Sequence, residues 1–505
     1  MATFIKEGIS LSLSAAFDNF DGYGVDDCEL RSCGVKADEK LRDGLFVCMD
    51  RDPELAIQNV KTAAQNGAIV AVLDRSCAES VASALDGVLP TIFCDNPRVV
   101  YGRACHALRG NPGRKMRLVA VTGSAGKTSL SYVLGGVLAE AGMRVGLVGS
   151  LGIYDGKSLA PTRETTPEPE KLVSVLETMV ENGCVCAIIE LSSVALAEDR
   201  PAGLAFDAAC LTNIRRDHLD YHGSVEAYRN AKLRVFDYLK LDGVAICNVD
   251  DRVTDAALHL IEQPVLTVGI QPTTCSVSGT PVERQKGEQT FYVVAGTDAA
   301  PVRTKVIGKE HIYNCLEAAA LAIAWDVDLV SIARGIERVE YIPGRMEQIE
   351  CGQSFGVYLD RASAPHSLAA ALEALRAVTH GLVYCVLCPP NDRDRGKRQL
   401  LAVAAEAGAD VTVVTSGNLP ESQTDEALED LRRGFTSKNS FHDEPNRKRA
   451  IEWALTQATI DDSVLIVGQD VSSLDPVNEL FVPDRQFVKN WLCDNLPSSE
   501  SYWFN

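Results

Sequence analysis

Short apolar runs alternate with segments of helical period along most of the chain. Leu118–Thr122, Val145–Val148, Ala187–Leu191, Ala208–Leu211 and Val244–Val249 have the length and near-continuous apolar character of strands buried on both faces. Between the first two, Leu130, Val133, Leu134, Val137 and Leu138 recur at the spacing of one helix face, and Gly142 supplies a C-terminal stop. Strand, helix and strand in this order predict an α/β fold whose mostly parallel sheet is covered on both sides. A second series follows in Gly356–Leu359, Leu382–Leu387, Val411–Thr415 and Val464–Val467. Two turn-forming breaks, Gly110-Asn-Pro-Gly113 and Ile342-Pro-Gly344, mark seams between the series. They divide the 505 residues into expected domains 1–112, 113–342 and 343–505, in line with roughly 100–200 residues per domain. No short-period repeat or extended low-complexity region is visible.

Composition narrows the class. A hydrophobic content of 46% with 23% charged residues is that of an ordinary globular protein. No run reaches the roughly 18 apolar residues that would span a bilayer. The mildly apolar stretch Ile9–Phe17 has no small-residue cleavage site and reads as the first structured segment, so a cytoplasmic location is expected. A net charge of −20 argues against a broad nucleic-acid-binding face. It leaves room for small anions held by a few buried Arg, Lys and backbone N–H groups. The sixteen cysteines sit in apolar runs such as Cys184-Val-Cys186 without paired zinc-type spacing, as buried reduced thiols do.

The chemistry concentrates where the first central strand ends. Thr122-Gly123-Ser124-Ala125-Gly126-Lys127-Thr128-Ser129 is a small-residue loop between a strand and a helix start. Glycines let backbone N–H groups approach phosphate oxygens, and the helix N-terminus adds its partial positive charge. Lys127 would reach the β- and γ-phosphates of ATP and the Thr128 hydroxyl would ligate Mg²⁺. The general phosphate-loop pattern places a glycine five positions before Gly126, where this chain has Val121. The bland alternative is an ordinary strand–helix turn with an exposed lysine.

This loop resembles that of the Mur ligases of peptidoglycan synthesis, and further motifs follow in the family's order. They are Glu164-Thr-Thr-Pro-Glu168, Ile189-Glu-Leu-Ser-Ser193, Leu211-Thr-Asn-Ile-x-Arg-Asp-His218-Leu-Asp-Tyr-His-Gly223 and Ala231-Lys-x-x-x-Phe236. Gly308 with Asn314, Pro343-Gly-Arg-Met-Glu347 and Asp392-Arg-Asp-x-Gly-Lys-Arg398 complete the series. The spacing, from about residue 45 to 490, is similar to that of the member adding the third stem-peptide residue. The resemblance implies a three-domain architecture: a UDP-sugar-binding N-terminal domain, a central phosphate-loop ATPase-type domain, and a Rossmann-like C-terminal domain that binds the amino acid. It implies that ATP phosphorylates a substrate carboxylate and that an amino acid's amine attacks the acyl phosphate. By the same resemblance Lys127, Glu190, His218 and Lys232 would be catalytic. Thr128, Glu190 and His218 would be metal ligands, and Lys232 would carry a carbamate. Thr165, Thr166, Ser192 and Arg200 would touch the UDP-MurNAc-dipeptide, while Asn314, Arg345 and Asp360 would reach the nucleotide. A monomer with small-molecule partners, and neither nucleic acid nor membrane, is expected. Each residue also has a plainer reading: Glu190 as a solvated strand-end carboxylate, His218 as a structural loop histidine, Lys232 as an unmodified helix lysine.

Departures from the family lie mostly outside the central domain. Val194 stands where histidine is common, His311 where a first asparagine is usual, and Asp360-Arg-Ala-Ser-Ala-Pro-His366 where the family reads Asp-Tyr-Ala-His-Thr-Pro-Asp. Members that add diaminopimelate carry Asp-Asn-Pro-Arg after a third-domain strand, whose arginine grips the amino acid's carboxylate. This chain has Ser416-Gly-Asn-Leu-Pro420 there, and Gly468-Gln-Asp-Val-Ser472 in place of a Gly-Lys-Gly-His-Glu segment. An Asp95-Asn-Pro-Arg98 occurs in the first domain and reads as a coincidental match. Two hypotheses follow: an active ligase, or a non-catalytic descendant that binds nucleotide or UDP-sugar as a scaffold or sensor. A folylpolyglutamate-synthase-like ligase fits the Asp217–Gly223 signature less well.

Overall fold

The computed structural model describes residues 2–16, 25–270, 275–390, 394–417, 421–437, 439–468 and 484–495. Three sheets follow one another along these residues. The first holds Thr3–Phe4, Ser32–Gly34, Gly44–Val47, Ala68–Asp74 and Thr91–Cys94 in sequence order, parallel except at its N-terminal edge. The third runs Glu347–Gln348, Gly356–Asp360, Ser463–Val467, Val383–Leu387, Val411–Val414 and His442–Asp443, again parallel beyond its first pair.

The central sheet is the largest. At its heart Arg117–Thr122 lies between Cys186–Glu190 and Phe206–Leu211, parallel to both, with Val145–Gly149 and Leu239–Asn248 next outward. Alternate residues of the middle strand face opposite ways. Val119 and Val121 pack with Leu130, Leu134 and Leu138 of the helix Lys127–Glu140, and Leu118 and Ala120 with Leu172 and Leu176 of the helix Pro169–Glu181. Both faces are thus dry, which is why these strands read as continuous apolar runs. Gly142 follows the first of these helices with φ 80°, the left-handed stop its position predicts.

The sheet is mostly parallel, as expected, with antiparallel strands added at both margins. Val277–Gln285, Glu288–Ala295 and Asp298–Thr304 form an antiparallel meander, and Gly152–Tyr154 and Leu159–Ala160 fold back beside Val145–Gly149. Connections as short as Lys286-Gly287 and Gly296-Thr297, with φ of 80° and 59° at the glycines, can join only antiparallel strands. The cysteines are free thiols, buried apart from Cys28, Cys275, Cys351 and Cys493. Among the described residues no helix is long and apolar enough to cross a membrane.

Candidate active site

Because the three innermost central strands are parallel, their C-terminal ends open onto one crest. There the chain leaves Thr122, turns through Gly123 and Gly126 with φ of 150° and 89°, and enters the helix at Lys127. A side chain at Gly123 would strike the Thr212 hydroxyl, and a Cβ at Gly126 would lie 2.5 Å from the Asn314 carboxamide oxygen. The turn is pinned by its neighbour: Ser124 N donates to Asn213 O at 2.9 Å, Ala125 N to Asn213 Oδ1 at 3.0 Å, and Thr212 Oγ1 to Ala125 O at 2.6 Å. Thr122 Oγ1 donates to Leu191 O at 2.8 Å, tying the loop to the other flanking strand. Ser129, in the first helical turn, is buried.

Two lysines converge on this loop. Lys127 Nζ and Lys232 Nζ each donate to Gly123 O at 2.8 Å. Lys232 is almost fully buried, its ammonium 4.9 Å from the centre of the Tyr228 ring, whose hydroxyl lies 2.7 Å from Ser124 Oγ. Burial, with the neighbouring Lys127 charge, holds Lys232 well below the ordinary lysine range. Lys127 is lowered too, burial outweighing the attraction of Glu190 and Asp217. Lys127 is only half-buried but is held in the turn rather than exposed, and Lys232 is a buried helix lysine.

Glu190 ends the flanking strand with no exposure at all. Its Oε2 accepts from Thr128 Oγ1 at 3.0 Å and Ser150 Oγ at 3.3 Å, while Oε1 is buried without a partner. Gly149 leaves room for this carboxylate, which a Cβ there would strike. Burial pushes the Glu190 carboxyl up, against the pull of Lys127, Arg345 and the Thr128 hydroxyl. The solvated strand-end reading of Glu190 does not hold. Thr166 Oγ1 donates to Glu190 O at 2.7 Å and accepts from Ser192 N at 3.0 Å, and Thr165 Oγ1 lies 2.8 Å from Ser150 Oγ. Arg200 meets three carboxylates, Glu164 and Glu168 at 3.0 Å and Glu198 at 2.9 Å, and donates to Thr166 O at 2.7 Å.

The third sheet reaches the same crest. Arg345 Nη2 is 3.5 Å from Thr128 Oγ1, and the Asp360 carboxylate accepts from Met346 N and Ala362 N, both at 2.8 Å, fixing the turn that carries Arg345. Lys397 Nζ donates to Asp217 Oδ1 at 2.9 Å, a nearly buried pair across the seam. Burial opposes ionisation of Asp217, but Lys397 and His218 outweigh it and hold the carboxyl below the ordinary range. His218 is 52% exposed, with Nε2 3.8 Å from Asp217 Oδ2. Among the described residues no three His, Cys, Asp or Glu side chains gather as metal ligands. Thr128 and Glu190 are brought together; His218 is not joined to them in one cage.

Some contributors carried no sequence signal. Ser150 bridges Glu190 and Thr165 from another strand end, and Tyr228 lies beneath Lys232. His366, at the end of the departing segment, has Nε2 buried and unpartnered. Burial drives His366 down to about 4. The Asp95–Arg98 segment is a helix start: Asn96 caps Pro97–Leu108 through Val99 N and donates to Asp199 Oδ2 at 2.8 Å. Asp392 and Arg393, Asn418–Pro420 and residues 469–472 lie outside the described residues.

Family comparison agrees with this geometry. Residues 121–322 match the Mur ligase middle domain and 344–469 the Mur ligase, glutamate ligase domain. The UDP-N-acetylmuramoyl-L-alanyl-D-glutamate–2,6-diaminopimelate ligase of Geobacillus thermodenitrificans is 33% identical over 432 residues, 84% of this chain and 86% of that protein. The chain belongs to the Mur ligase family. Among solved structures, one of a UDP-N-acetylmuramoyl-L-alanyl-D-glutamate–2,6-diaminopimelate ligase superposes with a TM-score of 0.64 at 26% identity, covering 86% of this chain and 89% of that one. MurF ligase from Thermotoga maritima, solved in complex with ADP, shares the fold with a TM-score of 0.58 at 16% identity, covering 86% of this chain and 93% of its own.

Proposed function

We propose that this Mur ligase adds the third amino acid to UDP-MurNAc-L-Ala-D-Glu in the cytoplasm, using ATP and passing through an acyl phosphate. The observation that carries this reading is the convergence of Lys127, Lys232, Thr128 and Glu190 on one glycine-bounded loop. A scaffold that only held nucleotide would use Lys127 and Thr128, but would have less use for a second, buried lysine, Lys232, on the same loop carbonyl. The relatives' printed names and the ADP bound by the Thermotoga neighbour point the same way.

In this scheme the loop N–H groups and Lys127 hold the β- and γ-phosphates of ATP, with Asn314, Arg345 and Asp360 on the nucleotide. The donor set fits Mg²⁺: the orphaned Glu190 Oε1 and the Thr128 hydroxyl are hard oxygen ligands, and water and phosphate oxygens would complete the shell. His218 would serve a second ion. Bound there, Mg²⁺ neutralises charge on the transferred phosphoryl group. The D-Glu side-chain carboxylate attacks the γ-phosphorus and ADP departs; the amine then attacks the acyl carbon and inorganic phosphate leaves. Burial holds Lys232 well below the ordinary lysine range, which favours its addition to CO₂ with loss of a proton, giving a carbamate that would orient metal or substrate. Thr165, Thr166, Ser192 and Arg200 would line the dipeptide end.

Domains 1–112, 113–342 and 343–505 would take the UDP-sugar, the ATP and the amino acid. The Asp217–Lys397 pair and Arg345 would close the last upon the second. The acceptor is held without the Asp-Asn-Pro-Arg arginine. Phosphate release should therefore be measured with Mg²⁺-ATP, UDP-MurNAc-L-Ala-D-Glu and diaminopimelate, lysine or ornithine in turn. Release that needs one of these amino acids is expected; none with any of them, despite tight nucleotide-sugar binding, would leave the scaffold reading instead.

A further inference from the structure

The turn that carries Arg345 toward the phosphate loop is strained on both sides of that residue. Gly344 and Met346 lie in the left-handed region, with φ of 63° and 42°. Glycine adopts it freely, whereas methionine persists there only where its surroundings fix the backbone. Three contacts supply part of that constraint. Arg345 N donates to Ile342 O at 3.0 Å, Arg361 N to Gly344 O at 2.9 Å, and Met346 N to Asp360 Oδ2 at 2.8 Å. A fourth runs through Glu347, whose Oε2 accepts from Gly344 N at 2.9 Å.

Glu347 is 3% exposed, and a carboxylate so buried needs a cation beside it. A cation reaches it from residues far along the chain. Arg485 Nε lies 2.7 Å from Glu347 Oε1, and the same guanidinium sits 4.9 Å from the centre of the Tyr341 ring. Tyr341 precedes the turn and Glu347 follows it, so one side chain braces both of its ends. The helix that supplies Arg485, Asp484–Asn495, is itself docked on the third sheet: Val488 and Leu492 pack with Ile349, Val357 and Leu359. Arg485 therefore projects from a fixed base onto a turn that needs fixing.

We propose that Arg485 is a positioning residue: through Glu347 and Tyr341 it sets the turn that aims Arg345 at Thr128, and so at the bound nucleotide. The proposal rests on the reading above that Arg345 reaches the nucleotide. It extends nucleotide recognition to the helix Asp484–Asn495, one arginine acting through the backbone of another.

The test is a double-mutant cycle on the full chain, read as affinity for the non-hydrolysable ATP analogue AMPPNP, measured by calorimetry with Mg²⁺. Binding alone is read, so neither turnover nor the identity of the amino acid enters. Arg485→Met should weaken AMPPNP roughly 5-fold or more, and should change it by less than about 2-fold when Arg345 is already alanine. Arg485→Lys, which keeps a charge for Glu347 but not the planar guanidinium over Tyr341, should recover part of the loss. A residue that only stabilised the fold would weaken binding by the same factor in both backgrounds. Equal losses in the two backgrounds, or no loss in Arg485→Met, would overturn the positioning role while leaving Arg345 on the nucleotide. Arg345→Ala binding AMPPNP as tightly as the parent would overturn the proposal together with the placement of Arg345. If Arg485→Met does not fold, Tyr341→Leu, which leaves the ion pair in place, decides by the same criterion.

Discussion

At the crest of the central sheet, Gly123 and Gly126 adopt positive φ and crowd against Thr212 and Asn314. At the crest of the third sheet, Gly417 and Gly468 also have positive φ, 65° and 140°, yet what they admit is Cys388, whose sulfur would lie 3.0 and 2.5 Å from a Cβ at those positions. The polar groups differ in the same sense. Two lysine nitrogens share one carbonyl in the first crest and one oxygen of Glu190 has no partner. In the third, Arg447 is committed to Asp484, with contacts of 3.1, 3.1 and 2.6 Å, and to Val467 O at 3.2 Å. The same strand-end geometry thus holds its charged groups differently. One crest holds a buried carboxylate oxygen without a partner; at the other, among the described residues, Arg447 is held by Asp484 and Val467 O.

Disabling the first crest should have the largest effect. Lys232→Ala should lower turnover roughly 10²–10³-fold, the scale of losing one preorganised charged group. If Lys232 acts as its carbamate, millimolar acetate or formate should restore part of the rate in steady-state assays. A rate insensitive to Lys232→Ala would remove it from the catalytic set. Glu190→Gln should act through the ion, raising the Mg²⁺ needed for half-maximal rate by about 10–100-fold, read from a magnesium titration at saturating ATP.

At the third crest the same kind of change should affect stability. Arg447→Met leaves Asp484 buried beside no cation, which costs about 3–5 kcal/mol when a buried pair is broken. Denaturant unfolding should show this loss while ADP affinity changes less than twofold. The smallest effect concerns the seam between the crests. Lys397 and His218 hold the folded Asp217 carboxyl below its unfolded value of 3.8. Its contribution to stability is therefore complete above that value and is lost as pH falls through the lower folded pKa. Melting temperature followed downward from pH 6 should fall less steeply below about pH 4 in Asp217→Asn than in the parent.

The contrast also explains what could be read in the sequence. Strands such as Leu118–Thr122 and Val464–Val467 declare themselves because burial on both faces demands unbroken apolar runs. The half-exposed meander from Val277 to Thr304 carries a mixed pattern, and its antiparallel sense rests on two short glycine turns. In the site, Lys127, Thr128, Glu190 and Lys232 stand in spaced motifs, so their meeting was foreseeable. Ser150 and Tyr228 are brought in by the packing of separate elements, and a single serine or tyrosine leaves no pattern to find. The Lys397–Asp217 contact joins residues 180 positions apart and depends on how the third sheet docks.

Carboxylate activation by ATP transfers an oxygen from the carboxylate to the released phosphate. With both side-chain carboxylate oxygens of D-Glu in UDP-MurNAc-L-Ala-D-Glu labelled with ¹⁸O, mass spectrometry of the released phosphate reads the mechanism directly. If the carboxylate attacks the γ-phosphorus and the amine then displaces phosphate, each phosphate released carries one ¹⁸O. Phosphate free of label, formed while ATP is consumed, would mean that water and not the carboxylate takes the phosphoryl group, and would contradict the ligase assignment.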